Sequence, residues 1–150
     1  MPAVITPFLM FQGSAEAALN HYVSLFDDGR IDSISRHGPD GPGVEGSVMY
    51  ATFTLAGQQF AAIDSAVEHD FEFTPSLSLF VQCDSEDQIR ELYQGLVEGG
   101  EDLMELGDHG FSTLFAWIDD RWGVSWQLNY DAPEADDAPE ADDEPESDSD

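Results

Sequence analysis

The sequence predicts an α+β fold built from two tandem βαβββ modules. A strand-like period, a helix-like period and three strand-like periods follow one another, and this order occurs twice. The two copies share a register, because Ser14 to Gly29 match Ser85 to Gly100 at a constant offset of 71. Each module has one helix, which leaves one face of its sheet uncovered. The modules must therefore pair, with curled mixed sheets around a groove.

The helix of module one is predicted from signals at both of its ends. Ser14 follows Gly13 and is predicted to be the N-cap, and Glu16 in the first turn suits the positive end of the helix dipole. Gly29 is predicted to close the helix in the left-handed conformation. The apolar residues at helical spacing are Ala18, Leu19, Tyr22, Val23 and Phe26.

The helix of module two has the same layout. Ser85 and Gln88 have the spacing of a capping box, and Gly99 with Gly100 is predicted to end the helix. Its apolar stripe consists of Ile89, Leu92, Tyr93, Leu96 and Val97. The matching cap, stripe and terminal glycine support a duplicated unit.

Eight strands complete the modules. They are predicted at 4–11, 30–37, 46–56 and 59–65, with a turn at 56–58, and then at 76–83, 101–107, 111–119 and 123–130. Module one accordingly spans about 3–66, and module two about 76–130, of a folded domain 1–130. Residues 131–150 repeat an Asp-Ala-Pro-Glu-Ala-Asp hexad without large apolar side chains, which predicts a disordered acidic tail.

The charge of the chain excludes two classes of partner. Against four arginines and no lysine the chain has 32 acidic residues, for a net charge of −28; residues 1–130 hold 21 of these acids and all four arginines, which gives −17. No basic patch can neutralise phosphates, so neither nucleic acid nor an anionic membrane is an expected partner. A lysine-free acidic body suits a cytoplasm with about 1 M salt, where the Debye length is roughly 3 Å. We therefore infer a halophile.

Cysteine usage and hydropathy indicate the compartment. Cys83 is the only cysteine, which excludes an intrachain disulfide and a cysteine metal cluster. The N-terminus lacks a basic region followed by an apolar stretch, and no apolar run approaches 18 residues. A cytoplasmic location is expected.

Familiar catalytic and cofactor motifs are missing. The stretch from Gly41 to Gly46 matches G-x-G-x-x-G, but it contains proline and leads into a strand, so we predict a loop. The sequence has no phosphate-binding loop, no G-x-S-x-G, no H-E-x-x-H and no adenosylmethionine-type glycine loop. His21 is predicted at a helix surface or boundary, and His37 and His109 in solvent-exposed turns.

Two segments are candidates for a site. His69 lies in the segment that joins the modules, where Phe71 and Phe73 alternate; their rings could line the groove or seal the core. In the segment 117–128, strand alternation places Trp126 on one face and Gln127 on the other. A glutamine inside a curled sheet needs a hydrogen-bond partner or a ligand.

Several motifs together resemble the PhnB-like branch of the vicinal oxygen chelate (glyoxalase/bleomycin resistance/dioxygenase) superfamily, some of whose members are labelled 3-demethylubiquinone-9 3-methyltransferase. The resemblance covers about residues 3–130 and implies the paired βαβββ fold, usually as a homodimer. The most specific motif is the ending Gly-Val-Ser-Trp-Gln. The motifs are Ile5-Thr6-Pro7-Phe8-Leu9-Met10-Phe11, a helix with Ala18 and Tyr22, Ser35-Arg36, Gly46-Ser47-Val48-Met49, Phe71-Glu72-Phe73-Thr74 and Asp120 through Gln127.

The resemblance also implies where a metal would bind in the metal-dependent members. Those positions fall near Pro7, near Ile63 or Asp64, near Ser78 and at Gln127. Proline has no side-chain donor and serine is a poor ligand for a divalent ion. We therefore expect neither the metal of the family nor another cofactor.

The resulting hypothesis is a protein that binds a small organic molecule in the groove. The alternative is an enzyme acting on a small oxygenated substrate, with Asp64 or His69 as the base. A third possibility is a structural protein that binds its partner through the acidic tail. Arg36 and Arg121 are the candidate anion anchors, unless they pair with surface carboxylates. The candidate ligand contacts are Phe8, Met10, Phe71, Phe73, Ser78, Trp117, Trp126 and Gln127.

Overall fold

Two units with the same βαβββ topology make up the chain. The structure is a computed structural model that describes residues 2–133, and it divides into units Met1–Phe73 and Thr74–Asp150. The predicted α+β fold of two βαβββ modules is confirmed. The groove that the sequence predicts between the modules stays a prediction.

Unit 1 consists of one helix and one mixed sheet. The elements are β1 (Phe8–Phe11), α1 (Ala15–Ser24), β2 (Arg30–Arg36), β3 (Val48–Leu55) and β4 (Gln58–Asp64). The sheet order is β1-β4-β3-β2, with β1 parallel to β4 and the other pairs antiparallel. The sheet is open, since β1 and β2 are edge strands.

Unit 2 repeats this arrangement. Its elements are β5 (Ser78–Cys83), α2 (Glu86–Val97), β6 (Glu101–Gly107), β7 (Leu114–Asp119) and β8 (Ser125–Tyr130). The order β5-β8-β7-β6 matches that of unit 1, and β5 is parallel to β8. The loops differ in length, because residues 37–47 join β2 to β3 and only 108–113 join β6 to β7. The constant offset of 71 therefore extends through β2 and β6, which follow the helices, and is lost at these loops.

The core of each unit lies between its helix and one face of its sheet. Strand alternation assigns each side chain to this covered face or to the opposite face, which we call the open face. The buried side chains of the covered faces include Leu9, Phe11, Ala51, Phe53, Phe60 and Ala62 in unit 1, and Ala116, Ile118, Trp126 and Leu128 in unit 2. They pack with Ala18, Leu19 and Tyr22 of α1 and with Ile89, Leu92 and Leu96 of α2.

The two helices begin in different ways, and the N-cap prediction for Ser14 is confirmed in position but not in hydrogen bonding. Ser14 occupies the N-cap position but makes no side-chain cap hydrogen bond. The Asp64 carboxylate takes that role, because it accepts from the N–H groups of Gly13 (2.7 Å) and Ala15 (3.0 Å). In α2, Ser85 accepts from the Gln88 N–H at 3.1 Å as predicted. The amide oxygen of Gln88 accepts from the backbone of Asp84.

Gly29 does not close α1, and it is a glycine for a different reason from the one predicted. The C-cap of α1 is Leu25, and Gly29 does not have a positive φ. A Cβ on Gly29 would lie 2.1 Å from the carbonyl oxygen of Val23, so the residue is glycine because two backbones approach closely. Gly100 is equivalent, with Asp119 as its backbone neighbour, and the left-handed residue is Gly99 at φ +79°.

His37 is buried, which corrects the expectation of an exposed turn. Only 8% of its surface is exposed. The loop that follows β2 passes so close that a Cβ on Gly43 would come within 2.5 Å of the imidazole ring. The G-x-G-x-x-G stretch is therefore a loop that covers a histidine.

The start of the predicted tail is attached to unit 2. The Asp131 carboxylate accepts from the Asn129 side chain at 3.0 Å, and the Ala132 N–H donates to Thr113 at 2.8 Å. The rest of the predicted disordered segment, 134–150, lies outside the described residues. Within 2–133, no helix is long and apolar enough to cross a membrane.

Candidate functional site

The open face of unit 2 gathers polar and aromatic side chains in three rows. The rows follow from the strand register, because β5 pairs with β8, β8 with β7 and β7 with β6. The first row contains Ser78, Ser125, Asp119 and Glu101; the second contains Phe80, Gln127, Trp117 and Met104; the third contains Gln82, Asn129, Phe115 and Gly107.

The first row is fixed by hydrogen bonds among its hydroxyl groups. The Oγ atoms of Ser78 and Ser125 are 2.8 Å apart. Trp117 of the second row donates its Nε1–H to the Ser125 Oγ at 2.9 Å. Because the indole already supplies a proton to Ser125, the serine hydroxyl is free to donate to Ser78. This chain holds the indole ring in one orientation beside the middle of the face.

The second row contains a side-chain amide and an exposed aromatic ring that a ligand could contact. Phe80 lies on the edge strand β5 and is 58% exposed. Gln127 is half-buried, and its side-chain amide has no hydrogen-bond partner among the residues that the structure describes. An amide beside two aromatic rings can orient a ligand while the rings supply contact area.

The third row is closed by its own hydrogen bonds. Asn129 donates to the Gln82 side-chain oxygen at 3.0 Å, and Asp131 accepts from Asn129 at the same distance. Phe115 is buried next to Phe111, with ring centroids 4.9 Å apart. This end of the face therefore has fewer groups left for a ligand than the second row.

Asp119 lies near the end of the first row, and one of its carboxylate oxygens lacks a hydrogen-bond partner among residues 2–133. Its Oδ1 is buried and has no hydrogen-bond partner within residues 2–133. Burial raises the pKa of this carboxyl, and the neighbouring charges of Glu101 and Asp120 raise the pKa further. The first row thus ends in a carboxyl group that is poorly solvated.

The open face of unit 1 is more apolar. Strand register places Phe8, Met10 and Ile63 on it beside Tyr50. The rings of Phe8 and Tyr50 are 6.2 Å apart, and both side chains are exposed. Its polar contacts include the hydrogen bond between Ser33 and Thr52, at 2.7 Å.

Two predicted site residues lie elsewhere, and these predictions are corrected. Trp126 is opposite Ile118 on the covered face of unit 2, is 1% exposed and donates to Asp120 at 2.9 Å. Asp64 is buried on the covered face of unit 1 and also accepts from the Val48 N–H at 2.9 Å. Trp126 is a core residue, and Asp64 uses its oxygens to hold three backbone N–H groups.

The segment after β4 divides its aromatic residues between core and solvent. Phe73 packs against the buried ring of Phe11 at 5.3 Å, whereas Phe71 is exposed and stacks on His69 at 4.6 Å. The Nε2 atom of His69 lies 2.9 Å from the Oγ of Ser65. Of the two alternatives for these rings, Phe73 seals the core of unit 1.

All four arginines are paired with carboxylates. Arg36 contacts both oxygens of Glu16, at 3.1 and 2.6 Å, and this pairing holds the pKa of Glu16 below its usual range. Arg121 lies 3.8 Å from Glu98 and over the ring of Trp122. The other two pairs are Arg30 with Asp32 and Arg90 with Glu86. The two candidate anion anchors are thus surface ion-pair residues.

The donors present do not fit the metal site that the family resemblance implies. Ser78 is hydrogen-bonded to Ser125, and Asp64 is directed at the backbone of α1. Pro7 offers no side-chain donor, which leaves Gln127 alone among the implied positions. No cluster of three or more His, Cys, Asp or Glu suited to a metal occurs among residues 2–133.

Sequence reasoning missed four residues of the open face of unit 2: Phe80, Gln82, Ser125 and Asn129. A signal for them was present, because Ser125 and Asn129 alternate with Trp126 and Leu128 along β8. The sequence could not show that β5 pairs with β8 in parallel, and this pairing aligns Ser78 with Ser125 and Phe80 with Gln127.

The duplicated βαβββ units define the class of the protein by its fold, which is glyoxalase-like. The family model described as 3-demethylubiquinone-9 3-methyltransferase matches residues 3–129. The chain belongs to this PhnB-like family, as the resemblance of its motifs predicts.

Solved structures agree with this assignment. The PhnB protein of Bacillus cereus is 52% identical, with 85% of this chain and 99% of that one covered and a TM-score of 0.84. Protein PA1353 of Pseudomonas aeruginosa is 26% identical, with 87% and 98% covered and a TM-score of 0.76. A glyoxalase/bleomycin resistance protein of Albidiferax ferrireducens, 16% identical with 86% and 100% covered and a TM-score of 0.54, shares the fold. The comparison with curated proteins gives no match.

Proposed function

We propose that this protein binds a small organic molecule on the open face of unit 2. The observation that carries the proposal is the second row, where the unpartnered amide of Gln127 lies between Phe80 and Trp117. A half-buried amide gains a hydrogen bond when a ligand arrives, and the exposed ring of Phe80 gains apolar contact. Both changes favour the bound state.

Binding is favoured over catalysis because the candidate bases, Asp64 and His69, make their hydrogen bonds within unit 1. The Asp64 carboxylate accepts hydrogen bonds from three backbone N–H groups of unit 1, and His69 follows β4 in the same unit. On the open face of unit 2, Ser78 is bonded to Ser125, which accepts from an indole and not from a base. This arrangement orients groups without activating a nucleophile.

The proposal is tested by a fragment screen that monitors the melting temperature and the NMR spectrum of the full chain in about 2 M salt. We expect hits that perturb the resonances of Phe80, Trp117 and Gln127. The variants Phe80→Ala and Gln127→Leu should each weaken binding about tenfold or more. The matched controls are Val44→Ala, which truncates an exposed apolar side chain in the loop 37–47 of unit 1, and Gln94→Leu on α2.

Two results would count against this function. Hits that map away from the open face of unit 2, or that are unaffected by both variants, would refute the location. Turnover of a hit, lost in Asp64→Asn or His69→Gln while binding is retained, would support the alternative of an enzyme.

We also propose that the acidic, lysine-free body is adapted to molar salt. At molar salt the repulsion among the carboxylates is screened. In dilute buffer this repulsion is not screened, and it destabilises the fold. The midpoint of urea unfolding should fall steadily as salt is lowered from about 2 M to 0.05 M. Equal midpoints at both ends of this range would refute the adaptation.

A further inference from the structure

We propose that the ligand of the open face of unit 2 is an aromatic molecule that carries an amide or an amine and no acidic group. This inference rests on the proposed function and specifies its ligand class. Three properties of the described residues support it: the pairing of the arginines, the neutral groups of the second row, and the carboxylates at the end of the first row.

Anionic ligands lack a counter-ion on this protein. The chain has four arginines and no lysine, and each arginine lies within 4 Å of a carboxylate. None of the four belongs to β5, β6, β7 or β8. A ligand carboxylate or phosphate on the open face would therefore be desolvated without an opposite charge, which is unfavourable.

The second row offers rings and a neutral amide. Phe80 and Trp117 flank Gln127 on neighbouring strands, so a flat ring placed over this row contacts an aromatic group on either side. The amide of Gln127 presents both a donor and an acceptor, and it pairs with another amide through two hydrogen bonds. A ring that bears an amide satisfies the row without any charge.

The first row adds a preference for positive charge. Asp119 and Glu101 end this row, beside the paired hydroxyls of Ser78 and Ser125. A ligand ammonium can donate to the half-buried Ser78 oxygen there and is attracted by both carboxylates. A ligand carboxylate at the same place meets like charge. The open face of unit 2 therefore favours a ligand with an amide or an amine over a ligand with a carboxylate.

The test uses three probes with one ring: naphthaleneacetamide, naphthylethylamine and naphthaleneacetate. Their dissociation constants are measured by protein-observed NMR on the full chain at 0.2 M and 2 M salt, for the wild type and for Phe80→Ala. We expect the amide and the amine to bind at least about ten times more tightly than the acid at both salt concentrations. Phe80→Ala should weaken both, and Val44→Ala in the loop 37–47 of unit 1 should leave both unchanged.

A variant with an added positive charge tests the same point by changing the protein instead of the probe. Gln127→Arg places a cation in the second row and should shift the preference towards the acid by about tenfold or more. Gln127→Leu removes the amide without adding charge, so it should weaken the amide probe and leave the acid equally poor. If the arginine variant does not fold, the wild-type series and the leucine variant still decide the question.

Each contrary result has a defined meaning. Acid binding as tight as amide binding, and dependent on Phe80, would overturn the ligand class while the proposed function survives. Hits from the fragment screen at this face that contain no ring, together with no binding of the three probes, would do the same. Amine binding that disappears at 2 M salt and ignores Phe80→Ala would be diffuse attraction to the acidic chain and would also overturn the inference.

Discussion

Replacing Asp64 should destabilise unit 1 more than replacing any exposed acid. Its carboxylate accepts from three N–H groups, those of Gly13, Ala15 and Val48, at 2.7, 3.0 and 2.9 Å. The bonds to Ala15 and Val48 are fully buried. These bonds tie the end of β4 to the start of α1 and to the start of β3 in one contact.

The magnitude follows from the donors left behind. Asp64→Ala strands buried N–H groups at about 1–3 kcal/mol each and removes a negative charge from a helix N-terminus, so the loss should be about 3–6 kcal/mol. Asp64→Asn keeps one acceptor oxygen for Gly13 and Ala15 but turns an NH₂ towards the Val48 N–H, so about 2–3 kcal/mol is expected. Against a total stability of about 5–15 kcal/mol, either change is large.

The assay is urea unfolding at a fixed high salt concentration, followed by far-UV circular dichroism. Tryptophan fluorescence alone is unsuitable, because all three tryptophans are in unit 2. The matched control is Asp40→Ala in an exposed loop, which should change stability by less than about 0.5 kcal/mol. A loss below about 1 kcal/mol in Asp64→Ala would refute the capping role and restore Asp64 as a candidate base.

Three further predictions concern caps and acidic side chains. Ser85→Ala should cost about 1 kcal/mol in urea unfolding, whereas Ser14→Ala should cost less than about 0.5 kcal/mol, because only Ser85 makes a cap hydrogen bond; equal costs would contradict this. Burial and neighbouring carboxylates raise the pKa of Asp119, so its ionised form lowers the stability of the fold at neutral pH; Asp119→Asn should raise the midpoint of urea unfolding at pH 7, with the gain shrinking in acid. Arg36 lowers the pKa of Glu16, so its contribution is present at neutral pH and lost as pH falls through the carboxyl range; Glu16→Gln should destabilise at pH 7 and match the wild type in acid.

Features that depend on neighbouring residues could be predicted from the sequence. The cap of α2 needs only the spacing of Ser85 and Gln88, and the burial of Ile89, Leu92 and Leu96 follows from helical period. The duplication is visible because the same order of periods recurs. For the candidate site, the alternation in β8 separates Gln127 from Trp126 correctly.

Features that depend on contacts distant in the chain could not be predicted. The cap of α1 comes from Asp64, about 50 residues away, so the local signal at Ser14 was misleading. Gly29 is required by the backbone of Val23, and His37 is buried by a loop whose glycines suggested exposure. In each case a contact with a residue distant in the chain overrides the local sequence preference. The sequence shows the residue, but it does not identify the distant residue that it contacts.

The small number of arginines has a consequence for ligand binding, because the structure shows each of them paired with a carboxylate. From composition alone, four arginines in 150 residues predict a salt-adapted protein that does not bind nucleic acid, and they leave an anion site possible at Arg36 or Arg121. In the structure Arg36 holds both oxygens of Glu16, and Arg121 lies beside Glu98 and over Trp122. Freeing either residue for a ligand would break its ion pair. The charge balance behind the proposed salt adaptation thus also underlies the proposed preference of the open face of unit 2 for ligands without an acidic group.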